Sequence, residues 1–157
     1  MWQRIQTIYM LLAFVALVLF NFLSTASFTA NSNSWFLTPF GLSGNQVEEL
    51  PTYFVGFGVA INSLAAILII AMLGFFKNRK LQIRLGHASY LLCLGLTVLL
   101  YLNLSDIKSA LELSFGTVEV SYNVGSYLPV VAIAFLILAN RAIKKDEELV
   151  KSLDRIR

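Results

Sequence analysis

The chain has 157 residues, 57% of them hydrophobic and 13% charged, with a mean hydropathy of +0.73 and a formal net charge of +3. Soluble domains are about 45–50% apolar and about 25% charged, so this composition excludes an ordinary soluble enzyme and a disordered chain alike. What is left is an integral membrane protein, small enough for one domain over residues 1–157.

A bilayer core about 30 Å thick takes roughly 20 helical residues to cross. The first apolar segment, 8–23, follows Arg4 and is broken only by Asn21. Residues 1–26 also fit a secretory signal, with Arg4, an apolar stretch from Ile8 and Ser24-Thr25-Ala26 as a cleavage site. The aromatics Phe20, Phe22 and Phe28 around that site favour a retained helix. The outer segment 24–52 carries Trp35, Phe36, Leu37, Phe40 and Leu42 among Asn, Ser, Thr, Pro39 and Gly41.

The second span, 53–76, has no charge and is rich in small residues. Gly56 and Ala60 have the small-xxx-small spacing that lets two backbones approach, and Asn62 and Ser63 suit interhelical hydrogen bonds. After Lys77, Arg79, Lys80 and Arg84 comes the third span, 85–104, with His87, Ser89, Cys93, Thr97 and Tyr101. In the second outer segment, 105–123, Thr117, Glu119 and Ser121 alternate with Val118, Val120 and Tyr122, the period of a half-buried strand. The fourth span, 124–141, is short and ends on Arg141, whose guanidinium can snorkel to the interface. The tail, 142–157, continues it as a helix, with Leu149, Val150, Leu153 and Ile156 on one side and Glu147 and Lys151 at i and i+4.

Charge placement orients these spans. All of the 12 Lys and Arg except Lys108 lie before the first span, between the second and third, or after the fourth. Lys and Arg are retained on the cytoplasmic side, so both termini and the middle loop are expected there. A single strand does not stand alone, so segment 24–52 is expected to supply one or two partners for the strand near 117–122. The expected fold is an all-α membrane protein: a four-helix transmembrane bundle with a small extracytoplasmic β cap and a cytoplasmic C-terminal helix. The competing reading of the outer aromatics is an interfacial belt.

The chemistry-bearing residues are few. With one His and one Cys, neither a His-based metal site nor a disulfide within the chain is available. No Asp or Glu falls inside any span, whereas transport and proton relay usually leave ionisable groups at depth. Gly56-Phe57-Gly58 precedes no βαβ unit and is no phosphate loop. No enzymatic activity, cofactor, metal or nucleic-acid partner is expected.

The stretch Gln3-Arg4-Ile5-Gln6-Thr7 resembles the opening of DUF4293, a family of uncharacterised four-helix membrane proteins of Bacteroidota. Leu138-Ala139-Asn140-Arg141-Ala142-Ile143, Lys145-Asp146-Glu147, Leu149-Val150-Lys151-Ser152 and Asp154-Arg155-Ile156-Arg157 are similar to its ending. The resemblance covers the layout of the whole chain, implies that the first helix is retained in a bacterial inner membrane, and carries no activity. Both end motifs belong on one side of the membrane, so Arg4, Gln6, Arg141, Asp146 and Glu147 are expected to form one cytoplasmic polar cluster. Ordinary positive-inside anchoring also accounts for Arg4 and Arg141.

Gly56, Ala60, Asn62 and Ser63 are the expected helix-packing set, and Trp35, Phe36 and Phe40 the expected outer interaction surface. The expected role is a non-catalytic accessory or scaffold subunit whose partners are membrane lipids and another integral membrane protein. The alternative is a binder or carrier of a lipid or apolar small molecule, held near Asn62, Ser89 and Tyr101.

Overall fold

A long apolar segment satisfies its backbone N–H and C=O groups within itself only as a helix, and four helices carry most of this chain. The computed structural model describes residues 3–30, 33–44, 53–76 and 78–154. In chain order the elements are α1 (Gln3–Phe20), β1 (Ala26–Ala30), β2 (Asn33–Thr38), β3 (Gly41–Gly44), α2 (Tyr53–Gly74), α3 (Arg79–Phe115), β4 (Glu119–Tyr122) and α4 (Val124–Asp154). Helix α1 lies along α4, α4 along α3 and α3 along α2, while α2 touches α1 over a shorter stretch. The connections run up, down, up and down, so the ends of α1 and α3 and the starts of α2 and α4 meet at the sheet.

Local chemistry sets the helix boundaries. Asn78 caps α3: its Oδ1 accepts the Leu81 N–H at 3.2 Å and its carbonyl the Gln82 N–H at 3.0 Å. At the other end Gly116 takes φ +83°, a conformation glycine adopts without strain, and returns its N–H to the Glu112 carbonyl at 3.1 Å. Between these caps α3 runs 37 residues, about 55 Å at 1.5 Å per residue. The span expected over 85–104 is therefore the middle of a longer helix, and residues 105–115 of the expected outer segment continue it.

The sheet packs on that overrun. Its order is β3-β2-β1-β4 with antiparallel pairing throughout, Phe28 facing both Trp35 and Val120 across the ladder. Segment 24–52 supplies three strands rather than one or two, and the one that pairs with β4 is β1. Ala26, Phe28, Ala30, Trp35 and Leu37 turn inward onto Leu100, Leu104, Ile107 and Leu111 of α3. The Trp35 and Phe115 rings meet at 4.9 Å.

A second core fills the bundle away from the sheet. Met10, Ala13 and Leu17 of α1 meet Ala65, Ile69 and Met72 of α2, Cys93 of α3, and Ala132, Leu136, Ala139 and Ile143 of α4. Large apolar side chains also cover the outside, among them Leu11, Ile67, Leu91 and Ile137. Three helices are long and apolar enough to cross a membrane, whereas the apolar stretch of α1, Ile5–Phe20, is shorter. The fourth apolar segment and the tail form one helix, and Pro129, past its first turn, forgoes the backbone hydrogen bond to the Gly125 carbonyl. The side chains of residues 149–157, including the apolar side of the tail, lie outside the described residues.

Candidate functional site

Among the described residues the topology collects Arg4, Arg79, Lys80, Arg84, Arg141, Lys144, Lys145 and Lys151 toward the end of the bundle opposite the sheet, and leaves Lys108 toward the other. At this basic end the helices are tied by polar side chains. The Gln6 amide of α1 donates to the Asp146 carboxylate of α4 and to the Ala142 carbonyl, the latter at 3.3 Å. Arg79 of α3 donates through Nη1 to the Asp146 carbonyl at 3.0 Å, and Gln82 reaches the Met72 carbonyl of α2 at 2.8 Å. Gln6, Gln82 and Asp146 are all buried. Where α2 draws away from α1, a cleft of about 480 Å³ opens, walled by Gln6, Met10, Leu73, Phe76, Arg79 and Gln82.

A second cleft, about 300 Å³, lies between α3 and α4 and is lined by His87, Tyr90, Ile137, Asn140, Arg141 and Lys144. The two helices approach closely here because α3 offers Gly86. A Cβ at that position would fall inside the Asn140 carboxamide. The Asn140 side chain is 6% exposed and its Oδ1 has no hydrogen-bond partner among the described residues. His87 Nδ1 lies 2.7 Å from the Ile83 carbonyl, and its ring meets Tyr90 edge-on at 5.7 Å.

A family model described as a domain of unknown function, DUF4293, matches residues 2–156. The chain belongs to the DUF4293 family. None of the curated proteins compared with it matches. The DUF4293 match takes in α1, the whole sheet and both clefts of the basic end. A family without an assigned activity leaves function to be argued from the site itself.

Of the residues expected to form one polar cluster in this DUF4293 chain, those with described side chains divide between two faces. Gln6 and Asp146 meet on the α1 side of α4, whereas Arg141 points into the α3–α4 cleft. Glu147 is half-buried on the same turn as Asp146. Arg4 has its backbone in the first turn of α1, and its side chain lies outside the described residues. Arg79 and Gln82 join the basic-end network and Asn140 lines the α3–α4 cleft, though none of the three is among the expected site residues. Gln82, Gly86, Ser89 and Cys93 continue the buried stripe of α3 at helical spacing, and extending that stripe back from Cys93 finds Gln82.

The packing set divides as well. Asn62 is buried, and its Nδ2 donates to the Leu17 carbonyl at 3.2 Å and to Asn21 Oδ1 at 3.1 Å. Gly56, Ala60 and Ser63 face outward instead, and nothing lies within 4 Å of a Cβ placed on Gly56.

Trp35 corrects the expected outer surface. Its indole is fully buried against α3, since an aromatic this large on the inner side of a strand fills the core. Phe36 and Phe40, at 49% and 60% exposure, do face outward. Asn62, Ser89 and Tyr101 do not line one site: Asn62 binds α1, Ser89 bonds the Leu85 carbonyl of its own helix, and Tyr101 stacks with Tyr122 at the sheet.

Proposed function

We propose that this chain is a non-catalytic multi-pass protein of the bacterial inner membrane that serves as an accessory or scaffold subunit, docking another integral membrane protein along α2. The observation that carries the reading is the outward face of α2. Gly56, Ala60, Ser63 and Gly74 are exposed there, and the bundle itself uses neither glycine for close packing. By contrast Gly86 and Gly125 are filled by neighbours within the chain. Small residues on an outward transmembrane face lower the cost of close approach by a second helix, which is how helices associate where lipid is as apolar as leucine.

Four crossings, with both termini and the α2–α3 turn in the cytoplasm, are supported by the basic end and by the outer apolar girdle. Helix α1 is short for a crossing, but it lies against α4 over its length, and a short helix is accommodated by local thinning of the bilayer. The second reading, a carrier of an amphipathic small molecule, is favoured by the 480 Å³ cleft, whose wall passes from Met10 and Leu73 to Arg79 and Gln82.

One purification separates the two. The tagged protein, expressed from its own promoter and solubilised in mild detergent, is expected to bring down a stoichiometric membrane partner that a Gly56→Leu/Ala60→Leu variant loses at unchanged abundance. A partner-free monomer holding a bound small molecule would overturn the docking reading and establish the carrier.

A further inference from the structure

The α3–α4 cleft differs from its neighbour in what its polar groups are already doing. In the larger cleft Gln6, Arg79 and Gln82 are hydrogen-bonded within the protein. In the smaller one Arg141 and Lys144 are exposed on successive turns of α4, and neither is in an ion pair among the described residues. His87 faces them from α3. Its Nδ1 is held at the Ile83 carbonyl, so Nε2 is the ring nitrogen left for a ligand. Beneath them lies the Asn140 carboxamide, more than nine-tenths buried, with an oxygen that no protein donor reaches. A buried acceptor left unpaired is costly, and a bound group carrying a hydroxyl or ammonium relieves it after a turn of the amide.

We infer that this cleft is a binding site for the phosphate headgroup of an anionic phospholipid. The phosphate sits among Arg141, Lys144 and His87, the headgroup donor turns toward Asn140, and an acyl chain runs along Tyr90 and Ile137. The site stands where α4 passes from apolar Ile137 to charged Arg141, the depth at which a lipid phosphate lies if the chain spans the membrane as proposed above. Basic pockets between helices on the cytoplasmic side are a recurrent way of holding such headgroups, and the guanidinium fork of Arg141 matches two phosphate oxygens. The inference rests on that membrane placement but not on a docked partner, because the cleft is formed by α3 and α4 alone.

The test uses the full chain, purified alone in a neutral detergent, with lipid retention read by native mass spectrometry and stabilisation by thermal melting. Phosphatidylglycerol is expected to be retained and to raise the melting temperature, while phosphatidylcholine and inorganic phosphate do neither. Arg141→Gln/Lys144→Gln is expected to weaken phosphatidylglycerol retention by about thirtyfold, the effect of removing two basic groups from an anionic lipid. Arg84→Gln/Lys145→Gln, an equal loss of charge elsewhere at the same end, leaves it unchanged. If the first double variant melts early without lipid, the exposed Lys144→Gln alone carries the measurement. Equal losses from both double variants would reduce the effect to general surface charge and overturn the site. Stabilisation by inorganic phosphate, with none by the lipid, would overturn the lipid assignment.

Discussion

Gly125 shows how little room the joint between α1, β1 and α4 leaves. A Cβ there would stand 2.5 Å from the Ser24 carbonyl oxygen and 2.9 Å from that of Leu23, while its N–H already donates to Ser24 at 3.2 Å. The same joint is closed by Asn123, whose Nδ2 reaches Ser24 Oγ at 3.0 Å and whose N–H reaches the Thr25 carbonyl at 3.0 Å. The obstruction is backbone, which cannot swing aside as a side chain does. Gly125→Ala is therefore expected to cost about 1–3 kcal/mol through overpacking. Gly56→Ala meets nothing within 4 Å and gains up to about 1 kcal/mol of helix propensity. Thermal melting of the two variants in detergent should move in opposite directions; a Gly125→Ala protein as stable as the parent would show that α1 and α4 are not joined in this way. Asn62 carries less weight than its burial suggests, because interhelical hydrogen bonds of this kind average about 0.6 kcal/mol.

At the scale of elements, the sheet and α3 are a single packing unit, and the sequence reveals one half of it. The alternation of Val118, Val120 and Tyr122 with Glu119 and Ser121 marks β4, of whose apolar side Val120 is half-buried and Tyr122 exposed. The outer third of α3 is less legible. Asp106, Lys108 and Glu112 give it the polarity of a loop, yet Ile107, Leu111 and Phe115 recur at four-residue intervals and face the sheet. Strand β1 is missed for a related reason: Ala26-Ser27-Phe28-Thr29-Ala30 has only one large apolar residue, and its place in the centre of the sheet comes from partners distant in sequence. The two faces of β2 test the unit. Trp35→Ala empties a fully buried site and is expected to destabilise the cap by about 3–5 kcal/mol. Phe36→Ala, on the outward face, should stay within about 0.5 kcal/mol. Limited proteolysis of the protein in vesicles reads the difference as early cleavage between residues 26 and 44 in the first variant alone. Equal resistance of both would mean that the sheet does not depend on α3.

For the molecule as a whole, the proposed orientation rests on the separation of the basic residues from the sheet, and α1 is the element that tests it. Gln6 binds Asp146, so the start of α1 and the far part of α4 lie at one end whatever the lipid does. If α1 crosses, its start and the α4 tail are both cytoplasmic, and the sheet is outside. If a signal-like segment were removed after Ala26 instead, α4 would lose the helix lying along it, and Met10, Ala13 and Leu17 would leave the core. That apolar surface would have to find a new partner. Single cysteines decide between these outcomes, since the native Cys93 is fully buried and supplies no background. Phe40→Cys is expected to react with a membrane-impermeant maleimide added from the outer side of the membrane. Ile5→Cys and Lys145→Cys should react only after that membrane is permeabilised. Loss of the Ile5→Cys signal from the mature protein would mean cleavage, and Lys145→Cys reacting from outside would invert the topology. Joint protection of both would place the two ends of the Gln6–Asp146 contact in the cytoplasm together, as a four-crossing bundle requires.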